Sequence, residues 1–179
     1  MTDSDILQLY RSGEREKAFR VLVTTYKERL YWHIRRMVLD HDDTDDCLQN
    51  TFVKAWQSLD RFRGDAQLFT WLYRIATNES LSFLSRQQTR GGQLDLAAAG
   101  RLSTDPWFDG DQLQLSLHKA IAKLPPKQKA VFNLRYFDEM PYEQIARVLD
   151  TSEGALKASY HHAYEKVKAW MQKEMDANY

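Results

Sequence analysis

Residues 60–78 read Asp-Arg-Phe-Arg-Gly-Asp-Ala-Gln-Leu-Phe-Thr-Trp-Leu-Tyr-Arg-Ile-Ala-Thr-Asn, an arginine-flanked glycine loop leading into an aromatic-rich helix with one further arginine. Cations neutralise phosphates and rings stack on or wedge beside unpaired bases, so this interleaving suits a single-stranded nucleic acid. The competing reading is an ordinary amphipathic helix whose aromatics are core. Trp71, Arg74 and Asn78 follow one another at i, i+3 and i+7. They therefore share a face apart from the expected buried stripe of Leu68, Leu72, Ile75 and Ala76, continued by Phe83 or Leu84. Separation of a core face from a possible reading face favours the nucleic-acid alternative. In the preceding loop of Arg61, Phe62, Arg63, Gly64 and Asp65, the glycine is free to take positive φ. It would let the backbone approach an extruded base closely.

A second chemistry-bearing stretch begins at Pro141. It reads as a helix over 141–148, a turn over 149–151 and a second helix capped by Ser152, the pattern of a helix-turn-helix. Ala146 is small where the two helices must cross. Leu156, Tyr160, Ala163 and Val167 would hold the second helix down, leaving Glu153, Lys157, Ala158 and His161 outward for a DNA major groove. Helical hairpins without a DNA function can imitate this motif.

The run His41-Asp-Asp-Thr-Asp-Asp46 suggests a metal, but its carboxylates lack the alternate spacing, central glycine and distal glutamate of a calcium loop. Aspartates complement the macrodipole and cap free N–H groups at a helix N-terminus, and that reading is preferred. A helix over 43–59 would bury Leu48, Phe52, Ala55 and Leu59. Asp46, Gln49, Asn50, Val53 and Trp56 are then left on other faces, an arrangement that fits docking of another protein; the alternative makes Trp56 core.

Other chemistry finds little support. The single cysteine, Cys47, excludes an intrachain disulfide and a cysteine-based zinc site, and is expected to be a small core residue. His33 is expected at an edge or in solvent, and the adjacent His161 and His162 diverge by about 100° on a helix, so they cannot easily share a metal. No Ser-His-Asp set, phosphate-cradling loop or His-Glu-x-x-His motif is present, so neither an enzyme nor a cofactor is expected.

These residues need elements to carry them. With seven glycines and four prolines in 179 residues, and few β-branched runs, the chain is expected to be all-α. Asp3 or Ser4 would cap a first short helix, broken at Ser12-Gly13. A long helix over 14–39 repeats Ala18, Leu22, Tyr26, Leu30 and Ile34 or Met37 on one face, with Arg15, Arg29, Arg35 and Arg36 largely off it. Periodicity disappears over 87–109, a linker between two helical domains whose Trp107 and Phe108 are an anchor or a lead-in to the next helix. Leu113, Leu117, Ile121 and Leu124 mark that helix, and Pro125-Pro126 ends it and starts another.

Lysine plus arginine equals aspartate plus glutamate at 25 each, so net charge is silent about partners. The charges fall in alternating blocks, which fits a protein meeting both a basic surface and a polyanion, or simply solvated faces. The N-terminus is polar, with no apolar run, so no membrane span is expected and a cytoplasmic location is.

Two segments carry a family resemblance. Residues 43–56 (Asp-Thr-Asp-Asp-Cys-Leu-Gln-Asn-Thr-Phe-Val-Lys-Ala-Trp), with 61–65 and 70–76, resemble the second conserved region of extracytoplasmic-function sigma factors. Leu124-Pro-Pro-Lys-Gln128, Leu134-Arg-Tyr136, Tyr142-Glu-Gln-Ile-Ala146 and Gly154-Ala-Leu-Lys157 resemble their fourth region. The resemblance implies two small helical domains joined by a flexible linker, over 1–88, 89–109 and 110–179, the second containing the helix-turn-helix. It implies a non-catalytic transcription initiation subunit. Asp46, Gln49, Asn50, Val53 and Trp56 would dock on the clamp helices of core RNA polymerase. Arg61, Phe62, Arg63, Gly64, Asp65, Trp71, Arg74 and Asn78 would bind and open the −10 element of promoter DNA. Ser152, Glu153, Gly154, Lys157, Ala158 and His161 would bind the −35 element, while the second domain touches the polymerase flap and the linker runs toward the RNA exit path. An anti-sigma factor is an implied partner. The chain departs from the family where Gly154-Ala-Leu-Lys-Ala-Ser-Tyr160 replaces the frequent Gly-Thr-Val-Lys-Ser-Arg-Leu and His162 replaces an arginine, which removes cations from the −35 helix. Asp150 stands where glycine is common in the turn. The alternative function is a stand-alone helix-turn-helix regulator with an N-terminal sensing or dimerisation domain, which leaves residues 43–76 unexplained.

Overall fold

The computed structural model describes residues 1–64, 66–91, 101–105 and 108–179. Helix α1 (Asp3–Arg11) is capped by Thr2 rather than by Asp3 or Ser4. Thr2 and Asp5 form a reciprocal capping box, with the Thr2 amide donating to Asp5 Oδ2 at 2.7 Å. Gly13 (φ 95°) turns the chain into α2 (Arg15–Val38), whose Ala18, Leu22, Tyr26, Leu30, Ile34 and Met37 are all buried as their spacing predicts. Leu39 leaves that helix in the left-handed region (φ 72°), and Asp40 then caps α3 (His41–Ser58) by accepting from the Asp43 amide at 3.2 Å. The aspartate run is thus a helix start, which begins two residues earlier than expected. Burial and the neighbouring Asp40, Asp46 and Asp42 raise the Asp43 carboxyl above its ordinary range.

Cys47 lies in the core, and burial, with Glu79 nearby, pushes its thiol up to about 12. A 3₁₀ turn (Leu59–Arg61) ends this part and leads to α4 (Leu68–Thr89). Helices α1, α3 and α4 all pack on α2.

The C-terminal part holds α5 (Gln112–Ala122), α6 (Pro126–Tyr136), α7 (Tyr142–Leu149) and α8 (Glu153–Ala177). Pro126 sits in the first turn of α6, where its missing N–H costs nothing. The stripe expected of α5 is kept at Ile121 and Leu124 and in part at Leu117, and it fails at its start. Leu115, Ala120, Ile121 and Ala122 are buried, whereas Leu113 is 59% exposed.

The two sets of helices pack together. One apolar cluster runs from Ile6, Leu30 and Leu72 through Val131 and Leu134 to Ile145, Val148 and Leu156; a smaller one holds Ile121, Leu124, Phe132, Ala163 and Val167. Helix α7 lies on α4, and α6 lies on α2. Polar groups stitch this seam. Tyr73 Oη donates to Asp138 Oδ1 at 2.6 Å, Lys129 Nζ donates to the Met37 carbonyl at 3.3 Å, and the Arg36 guanidinium lies 3.7 Å from the Phe137 ring centre. Burial pushes Lys129 down to about 8 and Arg36 down to about 10.

Two residues of α2 depart from the sequence reading. His33, expected at an edge, is fully buried with Nε2 2.7 Å from Thr77 Oγ1, and burial pushes it down to about 3. Arg35, expected off the buried face, is 4% exposed and pairs with Asp105. Residues 101–105 of the expected linker are docked, with Leu102 and Asp105 buried. Glycines 92 and 100 and Trp107 lie outside the described residues, while Phe108 meets Trp32 and His118 at 6.4 and 6.1 Å between ring centres.

Candidate nucleic-acid and polymerase interfaces

Three exposed faces carry the residues singled out from the sequence. The first is the outer side of α3. Thr44, Cys47, Leu48, Thr51 and Ala55 point inward, which turns Asp46, Gln49, Asn50, Val53 and Trp56 out to solvent. Val53 and Trp56 are 47% and 42% exposed, large apolar groups that a monomer has no internal reason to show. Trp56 is therefore not core, although its ring leans on Phe19 at 5.1 Å between centres. Two apolar groups beside Asp46, Gln49 and Asn50 make a face suited to a basic protein surface with an apolar centre.

The second face joins the 61–64 loop to α4. Arg61, Arg63 and Gly64 are exposed, and Gly64 takes φ 82°, as the glycine reading anticipates. Asp65, the last member of the predicted loop, lies outside the described residues. Phe62 packs against Trp71 with ring centres 5.3 Å apart. Arg74 and Asn78 continue the exposed line along the helix, while Leu68, Leu72 and Ala76 are buried and Ile75 and Phe83 only partly so. Helix α4 has a second buried side at Tyr73 and Thr77, which sequence periodicity did not indicate.

Arg61, Phe62, Arg63, Ala66, Thr70, Trp71 and Arg74 line a cleft of about 470 Å³ whose opposite wall is Ala146, Arg147 and Asp150 of the helix-turn-helix. Thr70 is 2% exposed and its hydroxyl has no hydrogen-bond partner. Neither Thr70 nor Arg147 carries a periodicity signal that assigns it to this cleft. Chemically, three arginines about a pair of packed rings can hold a phosphate backbone while presenting aromatic faces to unpaired bases.

The third face opens α8. Asp150 holds φ 51°, the left-handed turn that glycine often supplies, and its amide donates to the Ala146 carbonyl. Ser152 caps α8 by accepting from the Ala155 amide at 3.3 Å. Burial of Leu156, Ala163 and Val167 fixes the helix, and Ser152, Glu153, Gly154, Lys157, Ala158 and His161 are all exposed on it. Lys157 Nζ rests 5.8 Å from the centre of the Tyr142 ring. The His161 and His162 rings diverge, 6.0 Å between centres.

Comparisons with known proteins match both halves of the chain. A family model described as Sigma-70 region 2 matches residues 22–90, and one described as Sigma-70, region 4 matches residues 114–167. The ECF RNA polymerase sigma-E factor of Escherichia coli K12 is 30% identical over 179 residues, spanning 93% of this chain and 93% of the relative. The RNA polymerase sigma-H factor of Pseudomonas aeruginosa is 28% identical over 186 residues, spanning 95% and 94%. Among solved structures, CnrH in complex with the cytosolic domain of CnrY superposes with a TM-score of 0.71 at 27% identity, covering 96% of this chain and 97% of that one. The sigma factor RpoE bound to the anti-sigma factor NepR from Bartonella quintana gives 0.70 at 21% identity over 87% and 98%, a likeness of fold.

Proposed function

The chain belongs to the extracytoplasmic-function sigma factors of the sigma-70 family, RNA polymerase subunits that initiate transcription without catalysing it, and from that premise we propose which surface performs each task. The α3 face of Asp46, Gln49, Asn50, Val53 and Trp56 docks on the clamp helices of core polymerase. Its apolar centre supplies desolvation energy, and the acidic and amide rim selects a basic partner.

The loop from Arg61 to Asp65, with Trp71, Arg74 and Asn78, binds and opens the −10 element. The observation that carries this reading is the cluster of Arg61, Arg63 and Arg74 about the packed Phe62 and Trp71 rings. Melted DNA exposes base faces beside a phosphate chain, and cations with aromatic rings bind that combination better than duplex. The start of α8, from Ser152 to His161, enters the −35 major groove. Only Lys157 and the helix N-terminus offer strong positive potential there, so tight binding relies on the assembled polymerase.

In this scheme residues 1–88 form the docking and melting domain, 89–109 the linker and 110–179 the −35 domain, which also touches the polymerase flap. An anti-sigma factor is the expected negative regulator, and the site of action is the cytoplasm. Among the described residues no helix is long and apolar enough to cross a membrane. The stand-alone regulator is disfavoured because the region 2 match covers the residues that reading left without a role.

In-vitro transcription with purified core polymerase on genomic templates tests the assignment. Promoter-dependent transcripts should need both chain and core. Permanganate reactivity at −10 thymines should fall at least tenfold in Trp71→Ala. Loss of core binding in that variant would move Trp71 from melting to docking.

A further inference from the structure

A buried carboxylate joins the linker to the N-terminal helices. Asp105 follows a 3₁₀ turn (Arg101–Thr104), and its side chain is 1% exposed. The Tyr31 hydroxyl donates to it, Arg35 Nε lies 3.2 Å from Oδ2, and His41 Nδ1 lies 3.6 Å from the same oxygen. Tyr31 Oη is also 2.7 Å from His41 Nδ1. Tyr31 and Arg35 stand one turn apart on α2, and His41 opens α3, so all three donors belong to the docking and melting half. The guanidinium is itself 95% withdrawn from solvent, and leaving such a charge unpaired is strongly unfavourable. Nothing in the promoter-binding scheme requires a buried anion at this point.

We propose that Tyr31, Arg35 and His41 form a carboxylate receptor and that Asp105 is its internal ligand, a latch that keeps the −35 half folded back on the −10 half in the free protein. The proposal rests on the two halves binding separate promoter elements. Reach supplies the argument. With Asp105 seated, six residues lead to Asp111, the N-cap of α5, and they extend to at most about 20 Å. The −10 and −35 elements lie roughly 85 Å apart on B-form duplex, so the halves that bind them must separate. Released, the chain from Thr89 to Gln112 extends to about 75 Å. Departure of the Asp105 carboxylate from its receptor therefore lengthens the tether between the halves from about 20 Å to about 75 Å.

The test uses full-length chain carrying a dye pair at Glu16→Cys and Lys168→Cys, both exposed, read by single-molecule energy transfer. Wild type should be mostly in the high-transfer, closed state. Asp105→Ala should raise the open fraction at least tenfold, and sodium formate at tens of millimolar, competing for the receptor, should raise it in the wild type where sodium chloride at equal ionic strength does not. Asp105→Asn keeps the volume without the charge and should open as well. Circular dichroism identifies any variant that has lost its helices. Transfer in folded Asp105→Ala and Asp105→Asn equal to wild type overturns the latch, and a wild-type open fraction that formate raises no more than chloride does overturns the receptor. Failure of the wild-type chain to support promoter-dependent transcription would count against the sigma-factor surfaces, whereas energy transfer in the free chain decides the latch.

Discussion

The Tyr73 hydroxyl donates to Asp138 Oδ1 at 2.6 Å across the seam between the two sets of helices, and the carboxylate's other oxygen is buried without a partner. Burial raises the Asp138 carboxyl, and the Tyr73 hydrogen bond with Arg36 and Arg29 only partly offsets this. Removing the hydroxyl leaves a buried charge with less support. Tyr73→Phe should lower the urea-unfolding free energy by about 1–3 kcal/mol at pH 7. The loss should shrink as acid protonates Asp138, since the neutral acid tolerates burial. A pH-independent deficit would place the cost in packing rather than in the bond.

Acid should loosen the protein through two histidines. Burial first, and then Arg36, pushes His33 and His118 down to about 3, and His118 also lies stacked on Phe137 at 5.5 Å. Between that value and the ordinary 6.5 the unfolded chain takes up protons that the folded chain refuses. Their contribution is thus complete above pH 6.5 and declines by roughly 1 kcal/mol per histidine for each pH unit below it. His118→Phe, which keeps the stacking, should flatten the fall in urea midpoint between pH 6.5 and 5. An unchanged slope would show that His118 is already protonated in the fold.

Charge reversal at Asp46 together with Gln49→Lys should weaken capture of core polymerase at least tenfold in a pull-down. Both side chains are exposed, so circular dichroism should not change. Undiminished capture would remove the α3 face from the docking surface.

Lys157→Ala should reduce transcription from promoters that depend on a −35 element and lower the salt slope of promoter binding by about 1, with core binding retained. An equal fall in core binding would mean that the start of α8 serves the polymerase and not DNA.

The faces on single helices were legible in the sequence because one buried stripe fixes where every other residue points. Leu48 and Ala55 inside α3 put Asp46 and Trp56 outside, and Leu156 and Ala163 do the same for Lys157. What stayed hidden depends on a second contact. Helix α2 meets α4 through His33 and the docked linker through Arg35 on sides that its repeating pattern leaves polar, so the burial of these two residues has no local signal. Asp105 sits in a stretch without periodicity, where only the fold reveals that an aspartate is enclosed. The cleft between Trp71 and Arg147 likewise exists only because α7 comes to rest on α4.

The core position of Cys47 limits how this sigma factor can sense its surroundings. The chain has one thiol, enclosed and held almost wholly protonated at neutral pH. Peroxide and electrophiles react with exposed thiolates, so this sulfur gives them neither the charge nor the access they need. No second cysteine exists with which it could form an internal disulfide. Oxidation of this thiol therefore requires the fold around it to open first.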